Sequence, residues 1–412
     1  MTALGAVPRL SVALVSEHAS PLAVLGGVDA GGQNVHVTRL AGALADRGHR
    51  VTVYTRRDSP EAPDQVTLRA GVTVRHVPAG PACHVPKDAL PPYMPAFGAF
   101  LTEEWRTRPP DIVHSHYWMS GLAALQATRE LGLPLAHTYH ALGTVKRRYR
   151  QDIDTSPRTR IISEVEVGEG CDQVIATCRD EVTELERMGL PPRKISVVPC
   201  GVDTDLFTPE GPIADRSSYR PLLLQLGRLV PRKGASVAVA ALARLPEAEL
   251  VIAGGPPVEE IDNDPEVQRL RILSRAAGVT ERVHFTGGVP YEDVPALLRA
   301  ADVVLCPADY EPFGMVPLEA MACGTPVVAT AVGGQLDTVV DTVSGLLVPP
   351  GDPSALAHAV GELLADTEHR AACGVAGRRR VLARYGWDTV AAATETVYRG
   401  LLSPRPAVTE VA

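Results

Sequence analysis

Short runs of β-branched and aliphatic residues alternate along the chain with longer amphipathic stretches rich in Ala and Leu. This alternation predicts repeated strand and helix units, and hence a mainly parallel sheet. In the first half it predicts a helix over 34–46, which follows the first strand. The strands predicted there are Leu10–Ser16, Arg50–Thr55, Thr73–Val77, Ile112–Ser115, Leu135–Tyr139, Gln173–Thr177 and Ile195–Val198.

A second series of the same kind begins after residues 200–221, which are rich in Pro, Gly and Asp and have no sustained period. Such a stretch is typical of a linker between domains. We therefore predict two doubly wound α/β domains, residues 1–205 and 206–385. Residues 386–412 form a helix and tail that could pack back on the N-terminal domain. The strands predicted in the second half are Leu222–Gly227, Glu249–Ala253, Val283–Phe285, Val303–Pro307, Pro326–Ala329 and Gly345–Val348.

Composition narrows the class of protein further. The chain has 412 residues, of which 45% are hydrophobic and 21% charged, a balance typical of a folded globular protein with more than one core. The net charge of −8 makes nucleic acid an unexpected partner. No apolar run approaches about 20 residues, so no integral membrane segment is expected. The seven cysteines are scattered without a CxxC pair, which favours a cytoplasmic location.

The first candidate for chemistry is the loop GGVDAGGQN, which follows the first strand. Gly31 and Gly32 would let the backbone approach a ligand closely, and the helix that begins there offers N–H groups to an anion. The spacing fits neither GxGxxG nor GxxxxGK[ST], so a dinucleotide or P-loop site is poorly supported. The loop is thus a candidate phosphate site, and a plain strand-to-helix turn is the alternative.

The strongest local signal is the run EPFGMVPLEAMACGTP. It places Glu311 before a helix and Glu319 within it. The two carboxylates could then accept hydrogen bonds from hydroxyls of two parts of one ligand, while N–H groups near Phe313, Gly314 and Met315 face a diphosphate between them. For Glu319 the alternative is ordinary compensation of the helix dipole.

A cationic loop, GRLVPRKG, follows the first strand of the second domain. Arg228 and Lys233 are five residues apart across a turn, so both could converge on phosphate oxygens and stabilise a leaving nucleoside diphosphate. A solvated basic loop is the alternative.

Histidines close two strands of the first domain, in HSHYW and HTYH. His114 and His116 would share one face of their strand, but neither a carboxylate nor a third ligand is nearby in the sequence. We therefore predict no metal site.

Taken together, the GGQN loop, HSHYW, GRLVPRKG and EPFGMVPLEAMACGTPVVAT resemble the retaining glycosyltransferases of family 4 over nearly the whole chain. The resemblance implies the GT-B architecture, with two facing Rossmann-like domains and a cleft between them. Within the family the chain is most similar to the enzymes that glycosylate D-inositol 3-phosphate in mycothiol synthesis, and more distantly to sucrose-phosphate synthase.

The resemblance also implies roles for matching residues. Arg228 and Lys233 would hold the donor diphosphate, Glu319 the ribose hydroxyls and Glu311 the hydroxyls of the donor sugar. His140 would present its backbone carbonyl near the anomeric carbon. The remaining implied residues are Gly32, Phe313, Gly314 and Met315 on the donor side, and Asn34, Lys87, Tyr117 and Arg160 on the acceptor side.

One position departs from the inositol-phosphate pattern: Ala141 follows His140, where those enzymes have threonine. The change removes a hydroxyl donor to the acceptor phosphate, and such a hydrogen bond contributes roughly 1–2 kcal/mol. The identity of the acceptor is therefore open.

These inferences predict a retaining, metal-independent transfer of a sugar from a UDP- or GDP-linked donor to a small hydroxyl acceptor, phosphorylated or not, such as inositol phosphate. We expect that no cofactor is required, and whether the protein forms a homodimer is left open. The alternatives are a tailoring glycosyltransferase of secondary metabolism, a nucleotide-sugar epimerase, and a nucleotide-sugar-binding protein without turnover. A glycan phosphorylase is disfavoured because no sequence context nominates a lysine for pyridoxal phosphate.

Overall fold

The structure is a computed structural model that describes residues 8–22, 32–149, 155–216 and 218–403. The chain forms two compact units. Unit 1 comprises Met1–Ala176, Val182–Val198 and Val390–Ala412, and unit 2 comprises Thr177–Glu181 and Pro199–Thr389. The chain thus passes into unit 2 a few residues before the predicted boundary at 205, and its C-terminal residues return to unit 1.

Unit 1 is built on a sheet with the strand order β3-β4-β2-β1-β5-β6-β7-β8 in its described part. The pairs are parallel except for β3 and β4, which are antiparallel. The strands are β1 (Ser11–Val15), β2 (Arg50–Arg56), β3 (Gln65–Arg69), β4 (Val72–Val77), β5 (Ile112–His116), β6 (Leu135–Thr138), β7 (Gln173–Ala176) and β8 (Ile195–Val197).

Burial explains why the sequence predicted all of these strands but one. The central strands are covered on both faces, so they are near-continuous apolar runs; every residue of β5 is buried. Strand β3, with the sequence QVTLR, lies at the sheet edge, and its residues alternate between exposed and half-buried positions. Its short polar run carries little strand signal, and the prediction missed it.

The helices of unit 1 cover this sheet. They are α1 (Gly32–Asp46), α2 (Met94–Thr107), α3 (Trp118–Leu131), α4 (Gly143–Tyr149), α5 (Arg160–Gly170), α6 (Arg179–Arg187) and, at the end of the chain, α14 (Trp387–Leu402). Helix α14 is held in unit 1 by buried polar contacts. The Tyr398 hydroxyl lies 2.7 Å from His114 Nδ1, and Glu395 accepts hydrogen bonds of 2.7 Å from Arg47 and Arg399.

Unit 2 has a parallel sheet with the order β11-β10-β9-β12-β13-β14. Its strands are β9 (Leu222–Leu226), β10 (Glu249–Ala253), β11 (Val283–Gly287), β12 (Val303–Cys306), β13 (Val327–Thr330) and β14 (Leu346–Val348). Its helices are α7 (Ala235–Leu242), α8 (Pro265–Ala276), α9 (Val294–Ala300), α10 (Met315–Ala322), α11 (Gln335–Thr338), α12 (Pro353–Ala365) and α13 (Thr367–Arg384).

Local signals set where several of these helices begin. Helices α8 and α12 each start with proline, whose fixed φ suits the first helical position. The preceding aspartates, Asp264 and Asp352, each accept two backbone N–H bonds as N-caps. Buried aliphatic residues such as Leu223, Leu242 and Val303 form the core that α7 and α12 cover.

The strand order in unit 2 is that of a Rossmann fold, and unit 1 repeats it with two added strands, antiparallel β3 at one edge and parallel β8 at the other. The prediction of doubly wound parallel-sheet domains is confirmed. In such sheets ligands bind outside the carboxyl ends of the strands, at the point where the strand order reverses. That point lies between β1 and β5 in unit 1 and between β9 and β12 in unit 2.

Among the described helices, none is both long enough and apolar enough to cross a membrane.

Candidate functional site

In unit 2 the loops that follow the strands pack closely against each other through their backbones, at the point where the strand order reverses. Gly234, with φ +73°, follows the GRLVPRK turn, and a Cβ there would lie 1.9 Å from the carbonyl oxygen of Pro307. Gly254, with φ +121°, ends β10, and its Cβ would lie 2.1 Å from the Gly227 oxygen. Only glycine fits such contacts, so these residues bring the loops after β9, β10 and β12 together.

The closest pair of charges at this edge is Lys233 and Glu311. Lys233 ends a short 3-10 turn after β9, and its Nζ donates to Oε2 of Glu311, which follows β12. Burial would raise the pKa of Glu311. The charge and hydrogen bond of Lys233, together with Arg232 and the Gly314 N–H, outweigh burial and hold that pKa below its ordinary value. Glu311 is therefore ionised at neutral pH and draws the lysine to the edge of the sheet.

Glu319 lies in α10 and is 7% exposed. Burial raises the pKa of its carboxyl group to about 7, while the charge of Lys233 opposes the shift. Glu319 is the fifth residue of α10, and the dipole of a helix acts on charges within its first turn. Dipole compensation therefore does not account for a carboxylate buried at this point, and hydroxyl donors from a ligand would.

A small cavity of about 20 Å³ lies between these elements. Its lining includes Lys233, Glu311 and Pro317, so it joins the cationic turn to the first turn of α10. Gly314, with φ +93°, precedes that helix, which begins at Met315. The Phe313 side chain is buried and packs edge-on against Tyr385, so only its backbone is available to a ligand. Arg228 is exposed just after β9.

In unit 1 the corresponding strand ends carry two strained residues that are not glycine. Tyr117, after β5, has φ +77° and ψ +151°, and His140, after β6, has φ +61°. Hydrogen bonds hold both turns: Tyr117 N donates to Thr138 O at 2.8 Å, and Ala141 N donates to Tyr139 O at 2.7 Å. Such conformations cost about 1–3 kcal/mol each and are concentrated at functional sites.

Two cationic side chains lie beside the Tyr117 ring. Lys87 Nζ and Arg160 Cζ each lie 5.2 Å from the ring centroid, within cation–π range. Arg160 is itself fixed by a 2.7 Å ion pair to buried Glu164 and by a 2.6 Å hydrogen bond to the Ala141 carbonyl. The three residues assigned to an acceptor phosphate by resemblance are thus brought together.

The remaining predicted residues lie at the start of α1. Gly32 is its first residue and is exposed. Asn34 is buried, and its Nδ2 donates to the carbonyl of Ser20 at 3.1 Å. Gly31 and the rest of the predicted loop before it lie outside the described residues.

Comparison with known proteins gives these two units a family. Residues 30–206 match the model described as Glycosyltransferase Family 4, and residues 213–380 match Glycosyl transferases group 1. The chain is 41% identical to a D-inositol 3-phosphate glycosyltransferase of Xylanimonas cellulosilytica, over 96% of this chain and 98% of that protein. The corresponding enzyme of Acidothermus cellulolyticus is 39% identical, over 96% and 91%.

The chain belongs to glycosyltransferase family 4.

Solved structures agree with this assignment. Sucrose-phosphate synthase of Thermosynechococcus elongatus superposes with a TM-score of 0.86 and 35% identity, over 95% of this chain and 99% of that one. HepE of Anabaena, solved with UDP, has a TM-score of 0.73 at 20% identity, over 95% and 100%, and supports the fold alone. The family 4 and GT-B predictions are confirmed, and the protein is a glycosyltransferase.

Sequence reasoning missed two groups in this glycosyltransferase. The first follows β1: Glu17 accepts from Ser120 Oγ and lies 2.6 Å from Nδ1 of His18, whose ring packs edge-on 5.0 Å from Tyr117. The sequence contains a signal that could have found this group: Glu17 and His18 are polar residues directly after the first strand, and such residues lie at the ligand-binding edge of a parallel sheet.

The second group is a histidine cluster. His116 Nδ1 lies 3.0 Å from His140 Nε2, and the ring of His36 from α1 packs 5.0 Å from that of His140. Burial lowers the pKa of His36 to about 4 and those of His116 and His140 well below the ordinary value, so all three rings are neutral at pH 7. Sequence reasoning missed His36 because 80 residues separate it from His116.

Proposed function

We propose that this glycosyltransferase transfers a sugar from a nucleotide sugar to a hydroxyl of a phosphorylated polyol, with D-inositol 3-phosphate as the first candidate. Unit 2 binds the donor and unit 1 binds the acceptor. The transfer retains the anomeric configuration and requires no metal ion. The observation that carries the proposal is the pair of cations, Lys87 and Arg160, fixed beside Tyr117 in unit 1.

The surroundings of this pair favour an anion. Arg160 Nη1 and Lys146 Nζ both donate to the Ser156 hydroxyl, at 3.1 and 2.7 Å, so a third cation lies close by. Glu164 balances one of these charges, and it also accepts two hydrogen bonds from the Gly143 N–H. An excess of positive charge on rigid supports is suited to phosphate, which guanidinium and ammonium groups bind through charge-assisted hydrogen bonds.

The donor side supports metal-independent departure of a nucleoside diphosphate. Negative charge develops on the leaving phosphate, and Lys233, Arg228 and the N–H groups at the start of α10 are suited to stabilise it. Ionised Glu311 would accept hydrogen bonds from the donor sugar, and Glu319 from the ribose.

In the reaction, the bond from the anomeric carbon to the leaving phosphate oxygen breaks. A bond from the anomeric carbon to the acceptor oxygen forms on the same face. The acceptor proton passes to the leaving phosphate oxygen, so no side chain has to serve as a strong base. The positive charge on the sugar in the transition state would be stabilised by Glu311 and by the backbone carbonyl of His140.

Two observations set the order of acceptors. The relatives at 41% and 39% identity are named for D-inositol 3-phosphate, which puts that acceptor first. The 35% identity to sucrose-phosphate synthase supports a sugar phosphate as the second candidate. Both acceptors combine a ring of hydroxyls with one phosphate, the chemistry that Lys87 and Arg160 fit.

The test is a transfer assay by mass spectrometry with UDP-, GDP- and ADP-sugars. Each is paired with inositol phosphates, hexose phosphates and their unphosphorylated counterparts. We expect glycosylation of a phosphorylated acceptor only, an unchanged rate with EDTA, and an anomeric coupling constant in the product that shows retention. Turnover of unphosphorylated acceptors at equal rates, or strict dependence on Mg²⁺, would contradict the proposal.

Two controls separate the rivals. An epimerised sugar formed from the donor alone would indicate an epimerase. Donor binding without turnover across the whole panel would indicate a binding protein.

A further inference from the structure

Three histidines from separate elements converge in unit 1. His36 comes from α1, His116 ends β5, and His140 follows β6. One nitrogen from each ring can be chosen so that all three lie within 4.8 Å of one another. The fold thus gives His116 two histidine neighbours, one from a helix and one from a neighbouring strand end, and His114 is not part of the cluster.

A buried nitrogen in this cluster has no partner. His116 is fully buried, and its Nε2 makes no hydrogen bond within the described part of the chain. Its other nitrogen, Nδ1, already faces His140 Nε2 at 3.0 Å. An unsatisfied buried polar atom costs about 1–3 kcal/mol, so a ligand bound at Nε2 would recover that free energy, whereas a ligand bound at Nδ1 would replace the contact with His140.

The chemistry of the donor set selects the ligand. Three imidazoles without a carboxylate suit Zn²⁺, Co²⁺, Ni²⁺ or Cu²⁺, whereas Mg²⁺ and Ca²⁺ prefer oxygen ligands. Zn–N bonds of about 2.0–2.1 Å require nitrogen atoms roughly 3.3 Å apart in a tetrahedral site. The 3.0 Å distance from His116 Nδ1 to His140 Nε2 is close to that spacing, and one nitrogen from each of the three rings can be chosen so that all lie within 4.8 Å of one another. The fourth position is left to water.

We propose that His36, His116 and His140 bind one Zn²⁺ ion and that its binding inhibits sugar transfer. The inhibitory half rests on the proposed function, which places the His140 carbonyl beside the anomeric carbon. Coordination would pull on a residue held at φ +61° by the turn from Tyr139 to Ala141. It would also place a divalent cation near the carbon where positive charge develops in the transition state, which disfavours that state.

Binding is tested with Co²⁺ as the probe, on full-length protein stripped of metal. We expect one equivalent by equilibrium dialysis and the visible d–d absorption of a low-coordinate cobalt–histidine site. His36→Ala and His116→Ala should each weaken binding at least tenfold. His358→Ala is the matched control, since that side chain is 78% exposed on α12, and it should bind as the unmodified protein does.

Folding of each variant is checked by circular dichroism and by binding of the donor nucleotide sugar, which is a property of unit 2. If His36→Ala is folded and still binds one cobalt ion with unchanged affinity and spectrum, the site is wrong. His36→Gln gives a second test with a side chain of similar size.

Inhibition is tested on the same proteins with Zn²⁺. We expect transfer to fall in the unmodified protein, to recover when EDTA is added, and to need at least tenfold more Zn²⁺ for inhibition in His36→Ala than in His358→Ala. Binding without inhibition would overturn the inhibitory half. If no acceptor is glycosylated by metal-free protein, the proposed function fails, and the cobalt experiment still decides the site.

Discussion

The two units use different means to hold the backbone at positive φ beyond the ends of their strands. In the loops after β9 and β12, unit 2 has glycine where the backbone enters the region of positive φ, at Gly227, Gly234 and Gly314. Unit 1 places Tyr117 and His140 there, and hydrogen bonds from neighbouring strands and turns hold them. A glycine site tolerates the conformation by itself, whereas a tyrosine or histidine site depends on the surrounding fold.

The two regions also differ in the charged and titratable groups that they contain. Unit 2 pairs the partly buried carboxylate of Glu311 with Lys233. Unit 1 combines neutral histidines with a buried arginine that is locked to Glu164. The comparison indicates that the strand-end region of unit 2 is built from a few short motifs, whereas that of unit 1 is built from contacts between distant segments.

The largest effect is expected for a substitution that tests the role of glycine in unit 2. Gly234→Ala would place a Cβ 1.9 Å from the Pro307 carbonyl oxygen, and we expect a loss of stability above about 4 kcal/mol. Gly227→Ala is the matched variant: it meets no atom within 4 Å, so only strain at φ +140°, about 1–3 kcal/mol, opposes it. Thermal unfolding of both measures the difference, and equal midpoints would contradict the close packing.

Arg160→Ala tests the acceptor side. It leaves buried Glu164 without its cation, and we expect a loss of about 3–5 kcal/mol in stability and a higher KM for the phosphorylated acceptor. The control is Arg148→Ala, whose half-exposed side chain pairs with Glu184. The two variants are compared by thermal unfolding and steady-state kinetics. An unchanged acceptor KM in Arg160→Ala would remove this residue from the acceptor site.

Lys233→Ala tests the donor side. We expect kcat/KM to fall by about 10²–10³-fold, because a preorganised cation facing the leaving phosphate is lost. Lys194→Ala, which removes a lysine bound to two carbonyls in unit 1, should have little effect on transfer.

A double variant separates chemistry from folding. In Lys233→Met with Glu311→Gln, neither partner of the partly buried pair is left charged, so stability should exceed that of Lys233→Ala. Activity should remain low. Recovery of transfer in the double variant would mean that Lys233 acts only on the fold.

The pH dependence of donor binding tests Glu319. Its pKa of about 7 lies above the ordinary value of 4.5, so the folded chain keeps a proton that the unfolded chain loses. The contribution of Glu319 to the stability of the free enzyme should therefore fall as pH rises from 4.5 to 7 and level off above that. A nucleotide sugar should bind more tightly at pH 8 than at pH 6, because the ionised carboxylate is the better acceptor for ribose hydroxyls. Calorimetry on Glu319→Gln should show no such dependence.

The smallest expected effect belongs to Ala141→Thr. The added hydroxyl would contribute roughly 1–2 kcal/mol to phosphate binding, so we expect an about five- to thirtyfold lower KM for the phosphorylated acceptor. An unphosphorylated analogue is the control and should bind as before. A higher KM for inositol phosphate would favour a different acceptor.

The sequence by itself determined the order of most strands and helices and predicted the charged loops at the edge of the sheet in unit 2. Buried parallel strands are continuous apolar runs, as in β5, β9 and β12, and glycine-bounded loops such as GRLVPRKG mark where they end. Edge strand β3 was not predicted, because its short, half-exposed polar sequence resembles that of a loop.

Only the tertiary structure decided which side chains meet across long distances. It brought Lys233 to Glu311 over 78 residues, joined His36 to His116 and His140, and held Tyr117 between Lys87 and Arg160. It also decided the ionisation of Glu319, since burial raises that pKa. The physical reason is that periodicity and turn chemistry act between neighbours in the chain, whereas desolvation and charge pairing depend on what the packed strands and helices place around each group.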